Sequence, residues 1–196
     1  MTGSRPHNRT AIVIILNGTT SAGKTSLARA LQDMASRPLL HVRMDDFLSM
    51  QPRRLNNHAD GFVFARVEGA EPPETAITTG PYGARLMSGM RRSVAALAES
   101  GLDLIVDDVW LGEGAEQADY VTLLSKHQVF FVGVRAPLAI LEQREIARGD
   151  RDIGQARWQQ GRVHIGATYD LVIDTGALTP QQAARRILES FRLQAG

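Results

Sequence analysis

Eight residues, Gly18-Thr19-Thr20-Ser21-Ala22-Gly23-Lys24-Thr25, match the pattern G-x-x-x-x-G-K-[ST] at every specified position, and they constrain the fold more than anything else in the chain. The pattern works only between a strand and a helix. The strand is legible in Ala11-Ile12-Val13-Ile14-Ile15-Leu16-Asn17, a β-branched apolar run suited to a parallel strand buried on both faces. The helix is legible in Leu27, Ala28, Leu31 and Ala35, which recur at helical spacing. In that order, backbone N–H groups and a helix N-terminus converge on a polyphosphate. Gly18 and Gly23 allow backbone angles and a close approach that a Cβ forbids. Thr19, Thr20, Ser21 and Ala22 line the loop, the Lys24 ammonium neutralises β and γ oxygens, and the Thr25 hydroxyl suits Mg²⁺. Of the 22 Lys and Arg residues only Lys24 and Lys126 are lysine. A lysine at the one position that demands it is therefore not an effect of composition.

A length of 196 residues suits one domain, here residues 1–196, with a sizeable core. The formal net charge of +1 gives no reason to expect a nucleic-acid partner. There are no cysteines, hence neither a disulfide framework nor a thiolate metal site. Residues 1–10 are polar, lack the apolar stretch of a secretory signal and read as a flexible N-terminus. No run reaches the ~18 apolar residues that span a bilayer. The expectation is a cytoplasmic protein without a membrane partner, and a homo-oligomer is left open. His7, His41, His58, His127 and His164 show no metal spacing, although His164 falls close enough to the arginine-rich segment to meet a phosphate.

Further along, Leu39 to Met44 reads as a second strand running into Asp45-Asp46-Phe47. Ligands gather at the carboxyl ends of such strands, which sends Asp45 and Asp46 to the rim of the phosphate loop. Residues 52–83 have prolines at 52, 72 and 73 and no sustained period, with a weak alternation at Phe62–Val67 that suits a hairpin strand. Such a long irregular stretch reads as a cover over an acceptor site. A helix is expected over Ala84–Ser100 and a buried strand over Leu102–Asp108, whose terminal Asp107 or Asp108 would stand behind a metal. After a helix expected over Ala115–Lys126 come a strand at Val129–Val134, a helix at Leu138–Ala147, a strand at Tyr169–Asp174 and a last helix capped by Thr179 with Pro180 at its first position. Five strands alternating with helices predict a three-layer α/β/α fold, the P-loop NTPase arrangement, around a five-stranded parallel sheet.

Arg144, Arg148 and Arg151 are spaced i, i+4 and i+7 and on a helix would share a face. Guanidinium forks suit phosphate oxygens and spread the charge of a transferring phosphoryl group, so residues 144–160 read as an arginine-rich lid hinged at Gly149 and Gly154. No guanine-specific N-K-x-D follows, which disfavours a GTPase switch. An acidic pair after the second strand and arginines before the last favour a kinase acting on a small hydroxyl compound, with ATP and Mg²⁺ as cofactors. In this reading Asp45, Lys24, Arg144 and Arg148 are the catalytic groups, and Met44, Phe47, Phe62, Phe64, Met87 and Trp110 are candidates for an apolar acceptor wall.

The runs Ile15–Thr25, Met44-Asp45 with Pro52, Ile105-Val106-Asp107-Asp108-Val109-Trp110-Leu111-Gly112, Val134-Arg135, and Arg144-Glu145-Ile146-Ala147-Arg148-Gly149-Asp150-Arg151 together resemble the chloramphenicol phosphotransferase family. Val163-His164, Tyr169-Asp170 and Asp174-Thr175 continue the likeness, which is weakest over residues 53–83. The resemblance implies transfer of the γ-phosphoryl group of ATP to the primary hydroxyl of chloramphenicol, with Asp45 as base. Two other readings stand beside it: a kinase of a nucleoside, sugar or sugar acid, and a nucleotide-binding protein with little kinase activity.

Overall fold

Strand β1 (Ile12–Asn17) is buried along its whole length, because its two faces feed two separate cores. Ile12, Ile14 and Leu16 point to one, Val13 and Ile15 to the other. Each such side chain taken out of water contributes roughly 1.5–3 kcal/mol, so the alternation holds helices against both faces of the sheet. The computed structural model describes residues 9–149 and 152–196. In chain order its elements begin β1, α1 (Lys24–Met34), β2 (Leu39–Arg43), α2 (Met44–Met50), β3 (Phe62–Arg66), β4 (Thr75–Thr79), α3 (Pro81–Glu99) and β5 (Asp103–Asp108). They continue with α4 (Ala115–Leu123), β6 (Gln128–Arg135), α5 (Leu138–Arg148), α6 (Gln155–Gln160), β7 (Leu171–Asp174) and α7 (Pro180–Ser190).

The main sheet has the order β2-β5-β1-β6-β7 with every pair parallel. Leu27 and Leu31 of α1, Leu141 of α5 and Ile187 of α7 cover one face; Met90 and Val94 of α3 with Tyr120 of α4 cover the other. This is the expected three-layer α/β/α arrangement with five parallel strands. Register then decides what meets at the rim. Leu16 and Arg43 both stand beside Asp107, and Asn17 beside Asp108, so β1, β2 and β5 end in one row. At the opposite end the buried Asp103 carboxylate accepts the Ile12 amide at 2.8 Å and pairs with Arg9 and Arg37, tying the strand starts together. No described helix is long and apolar enough to cross a membrane.

Several boundaries move for local reasons. Helix α3 starts at Pro81 rather than Ala84, because proline is well placed in a first helical turn. Helix α4 ends at Leu123, and Asp45 lies in the first turn of α2, where a carboxylate is favoured by the helix dipole. Strand β7 begins at Leu171, since the Asp170 side chain accepts the Phe131 amide at 2.7 Å. Thr179 and Gln182 close the expected N-cap of α7 as a reciprocal pair.

The 52–83 stretch contains an antiparallel hairpin in which Phe64 of β3 faces Ile77 of β4. Phe62–Arg66 matches the expected strand; Thr75–Thr79 is a partner that the irregular reading passed over. Its Thr-Ala-Ile-Thr-Thr sequence has no apolar run, but β-branched threonines suit a pleated, half-buried surface. Helix α5 ends at Arg148, with Gly149 at φ 64°, so the three-arginine helical face closes after Arg148. Arg151 lies outside the described residues, as do residues 1–8 of the expected flexible N-terminus.

Candidate active site

The phosphate loop is shaped by two left-handed residues, Ser21 at φ 59° and Gly23 at φ 84°. Alternating backbone handedness turns successive N–H groups inward, the geometry of an anion-binding nest. Gly18 is needed for space, since a Cβ there would lie 2.3 Å from the Val134 carbonyl oxygen. Lys24 is 7% exposed, and its Nζ donates to the carbonyls of Gly18 and Thr19 at 2.9 Å each. Ser21 Oγ is buried in the loop and has no hydrogen-bond partner among the described residues.

Strand β5 supplies two carboxylates that differ sharply in surroundings. Asp107 Oδ2 accepts from Thr25 Oγ1 at 2.7 Å, and Oδ1 lies 3.7 Å from Lys24 Nζ. Burial pushes the Asp107 carboxyl up, but Lys24, with His41 and Thr25 behind it, outweighs that and holds the group below the usual carboxylate range. Asp108 instead faces the core, where it accepts from the Val109 amide at 2.8 Å, Trp110 Nε1 at 3.0 Å and Tyr120 Oη at 2.9 Å. Burial there prevails over the hydrogen bonds and raises its carboxyl. The geometry therefore selects Asp107 as the group beside Thr25 and leaves Asp108 as a core anchor. Among the described residues no three His, Cys, Asp or Glu side chains gather to hold a metal by themselves. Any cation beside Thr25 and Asp107 would thus draw most of its ligands from phosphate and water, as Mg²⁺ commonly does.

The other acidic pair is divided in the same way. Asp46 is gripped by the Arg43 guanidinium, whose Nε donates at 3.0 Å and whose Nη2 donates to the second oxygen. Asp45 lines two adjoining cavities. The first, of about 430 Å³, is walled by Thr20, Ser21, Gly23, Lys24, Thr25, Asp107, Arg144 and Thr175. The second, of about 1230 Å³, is walled by Phe62, Phe64, Ile77, Met87, Leu111, Trp158 and Gln159 among others. Asp45, Arg148, Met44, Arg43 and Val109 border both. Arg144 braces the first cavity, with Nη2 donating to the Thr175 carbonyl at 2.8 Å and Nη1 to Thr175 Oγ1 at 3.1 Å. The Thr175 hydroxyl in turn donates to the Ala22 carbonyl at 2.7 Å.

Of the expected apolar wall, Met44, Phe62, Phe64 and Met87 do line the wide cleft, whereas Phe47 packs against the core. Trp110 does not line it. It is 1% exposed and sits with Tyr120, Phe131 and Tyr169 at ring separations of 6.0–6.4 Å. Trp158 lines the cleft instead, from α6. Gln155, Gln159 and Asn17 also went unread, since polar residues in a sequence suggest surface. An i, i+4 pair of glutamines on one helix face, and a single amide ending an apolar strand, were the available signals.

Asn17 is fully buried. Its Oδ1 accepts the Trp110 amide at 3.0 Å, and its Nδ2 donates to the Val163 carbonyl at 2.8 Å and to Tyr169 Oη at 2.7 Å. Tyr169 Oη lies 2.7 Å from His164 Nδ1, so the hydroxyl donates to a neutral imidazole. Burial, then the charges of Arg135 and Lys24, hold the His164 pKa down to about 4. The folded protein thus binds fewer protons here than the unfolded chain, and stability rises with pH between about 4 and the ordinary value of 6.5. Because the ring is half-exposed, the shift is worth roughly 1 kcal/mol after screening. Melting temperatures followed across that interval should fall toward low pH less steeply in His164→Gln than in the unaltered protein; parallel curves would contradict the assignment.

The chain is similar to a protein of Mycobacterium tuberculosis strain H37Rv, provisionally named an O-phosphotransferase, at 32% identity over 186 residues, covering 92% of this chain and 82% of the relative. Among solved structures it superposes on the tunicamycin resistance protein of Deinococcus radiodurans with a TM-score of 0.64 and 18% identity, over 96% of this chain and 99% of that one. The APS kinase of M. tuberculosis, solved with AMPPNP and APS, also gives a TM-score of 0.64, at 12% identity over 93% of this chain and 98% of that one. These structural likenesses establish the three-layer α/β fold around the parallel sheet. The model of chloramphenicol phosphotransferase-like proteins matches residues 11–192, and the chain belongs to that family.

Proposed function

We propose that the protein is an ATP-dependent small-molecule kinase that moves the γ-phosphoryl group to a hydroxyl of its acceptor, with a chloramphenicol-like compound as the leading acceptor. The observation that supports this most is the position of Asp45 and Arg148 on the border between a phosphate-loop cavity and a wide, largely apolar cleft. In this reading a triphosphate seated on the loop presents its outermost phosphorus at that border. The loop amides and Lys24 hold the β and γ oxygens. Thr25 and Asp107 would hold Mg²⁺, which would supply positive charge against the phosphates. Asp45 aligns the acceptor hydroxyl and takes its proton, the acceptor oxygen bonds to the γ phosphorus, and the bond from phosphorus to the bridging oxygen breaks to leave ADP. Arg144 and Arg148 spread the charge of the phosphoryl group in transit. In this reading the chain is one domain, with residues 52–83 covering the acceptor and 144–160 serving as the lid.

Phe62, Phe64, Ile77 and Met87 favour an acceptor with an apolar, partly aromatic body. A more polar metabolite is the second reading, favoured by Glu116, whose Oε2 is buried in the wall of the same cleft with no partner among the described residues. Mass spectrometry of products formed with Mg·ATP and a panel of hydroxyl compounds that includes chloramphenicol tests both. One added phosphate on chloramphenicol supports the first reading, and phosphate on another compound supports the second. ATP consumption indifferent to every acceptor would overturn both in favour of a nucleotide-binding protein.

A further inference from the structure

Gln159 links the linings of the two cavities through one hydrogen bond. It is 3% exposed, and its Oε1 accepts the Thr20 amide at 2.6 Å. Thr20 lines the phosphate-loop cavity, whereas Gln159 lines the acceptor cleft. The carboxamide oxygen therefore engages, from the acceptor side, a backbone N–H of the kind that phosphate loops offer to phosphate oxygens. The helix that carries it is held firmly. The Glu145 carboxylate, 2% exposed, accepts the amides of Gly154 at 2.7 Å and Ala156 at 2.8 Å. From the other side the Thr75 hydroxyl donates to the Ile153 carbonyl at 2.9 Å, and the Thr75 amide donates to the Gly154 carbonyl at 3.1 Å. Gly154 has φ 97° and no room for a Cβ, which would lie 2.4 Å from the Pro73 carbonyl oxygen.

We infer that Gln159 is a built-in stand-in for a γ-phosphoryl oxygen: it occupies the Thr20 amide until a triphosphate displaces it, and the displaced carboxamide turns into the acceptor cleft. This rests on the kinase reading above. It makes Gln159 a positioning residue that couples the filling of the two cavities. Because the side chain approaches from the acceptor side, it competes with the outermost phosphate and not with the inner two.

The test is titration of AMPPNP and of ADP, each with Mg²⁺ and without acceptor, into the unaltered protein, Gln159→Ala and Gln159→Leu. The leucine variant keeps the apolar stem and the packing, and guards against misfolding of the alanine variant. Removing a competitor worth one ordinary hydrogen bond should tighten AMPPNP binding about fivefold while ADP binding stays the same. A purely structural role would not move the ratio of the two affinities. An unchanged ratio in the folded variants, or weaker AMPPNP binding alone, overturns the inference and leaves the kinase reading standing. If the unaltered protein binds neither nucleotide, both fall.

Discussion

Exchanging Asp45 for asparagine should lower phosphoryl transfer by about two to four orders of magnitude, the range for loss of a general base, while the affinity for AMPPNP should stay within about twofold. The size follows from where the carboxylate stands. Asp45 borders both cavities at the start of α2, which on the proposed reading would let it meet an acceptor hydroxyl without being part of the loop itself. Asparagine keeps the shape and loses only the charge and the capacity to take a proton. In a loose transition state the proton leaves late, so part of the loss is alignment. Asp46→Asn is the natural control: that carboxylate is committed to Arg43, and its loss should change turnover by less than about threefold, as is usual for exposed ion pairs. If nucleotide binding disappears in Asp45→Asn, the residue serves the metal or the fold instead.

Lys24→Ala should impair both steps. Two carbonyls of the loop and the Asp107 carboxylate are the neighbours of its buried ammonium. Removing it would, on the proposed reading, strip the β and γ phosphates of their nearest fixed cation and leave Asp107 buried beside a smaller positive field. Charge-assisted hydrogen bonds are worth about 1.5–3 kcal/mol each, so loss of two to the phosphates should weaken nucleotide binding by roughly two to four orders of magnitude and carry kcat/KM down with it. Lys24→Arg recovers little, because the planar fork cannot replace a compact ammonium inside a loop closed around it. Calorimetric titration with AMPPNP and steady-state kinetics read the two losses separately, and normal kinetics in Lys24→Ala would remove the phosphate-loop assignment altogether.

The strands that carry the site are legible in the sequence because they are buried on both faces, which leaves nearly continuous apolar runs. The loop is legible because its glycines and lysine answer to geometry and charge at fixed positions. What pairs with what is not. Asp107 and Asp108 are chemically identical neighbours, and only the alternation of a strand sends one to Thr25 and the other to Trp110 and Tyr120. The two tryptophans show the same limit. A large aromatic either packs or lines a cleft according to the direction its element faces, so Trp110, a candidate for the acceptor wall, packs in the core, and Trp158, which carried no expectation, lines the cleft. The polar residues Asn17 and Gln159 escape notice for a further reason: their worth comes from backbone groups far away in sequence, the Val163 carbonyl and the Thr20 amide.

The attachment of α6 through Thr75 on one side and Glu145 on the other bears on how this scaffold could change its acceptor over evolution, or be made to. The hairpin that walls the wide cleft and the helix that carries Arg144 and Arg148 are gripped by the same short segment. A hairpin transplanted from a relative would bring a new acceptor wall, but would also reset the tilt of α6 against the loop. Chimeras that carry the hairpin together with the α6 segment from a single parent should therefore retain transfer, whereas those that splice between Thr75 and Gly154 should separate acceptor binding from chemistry.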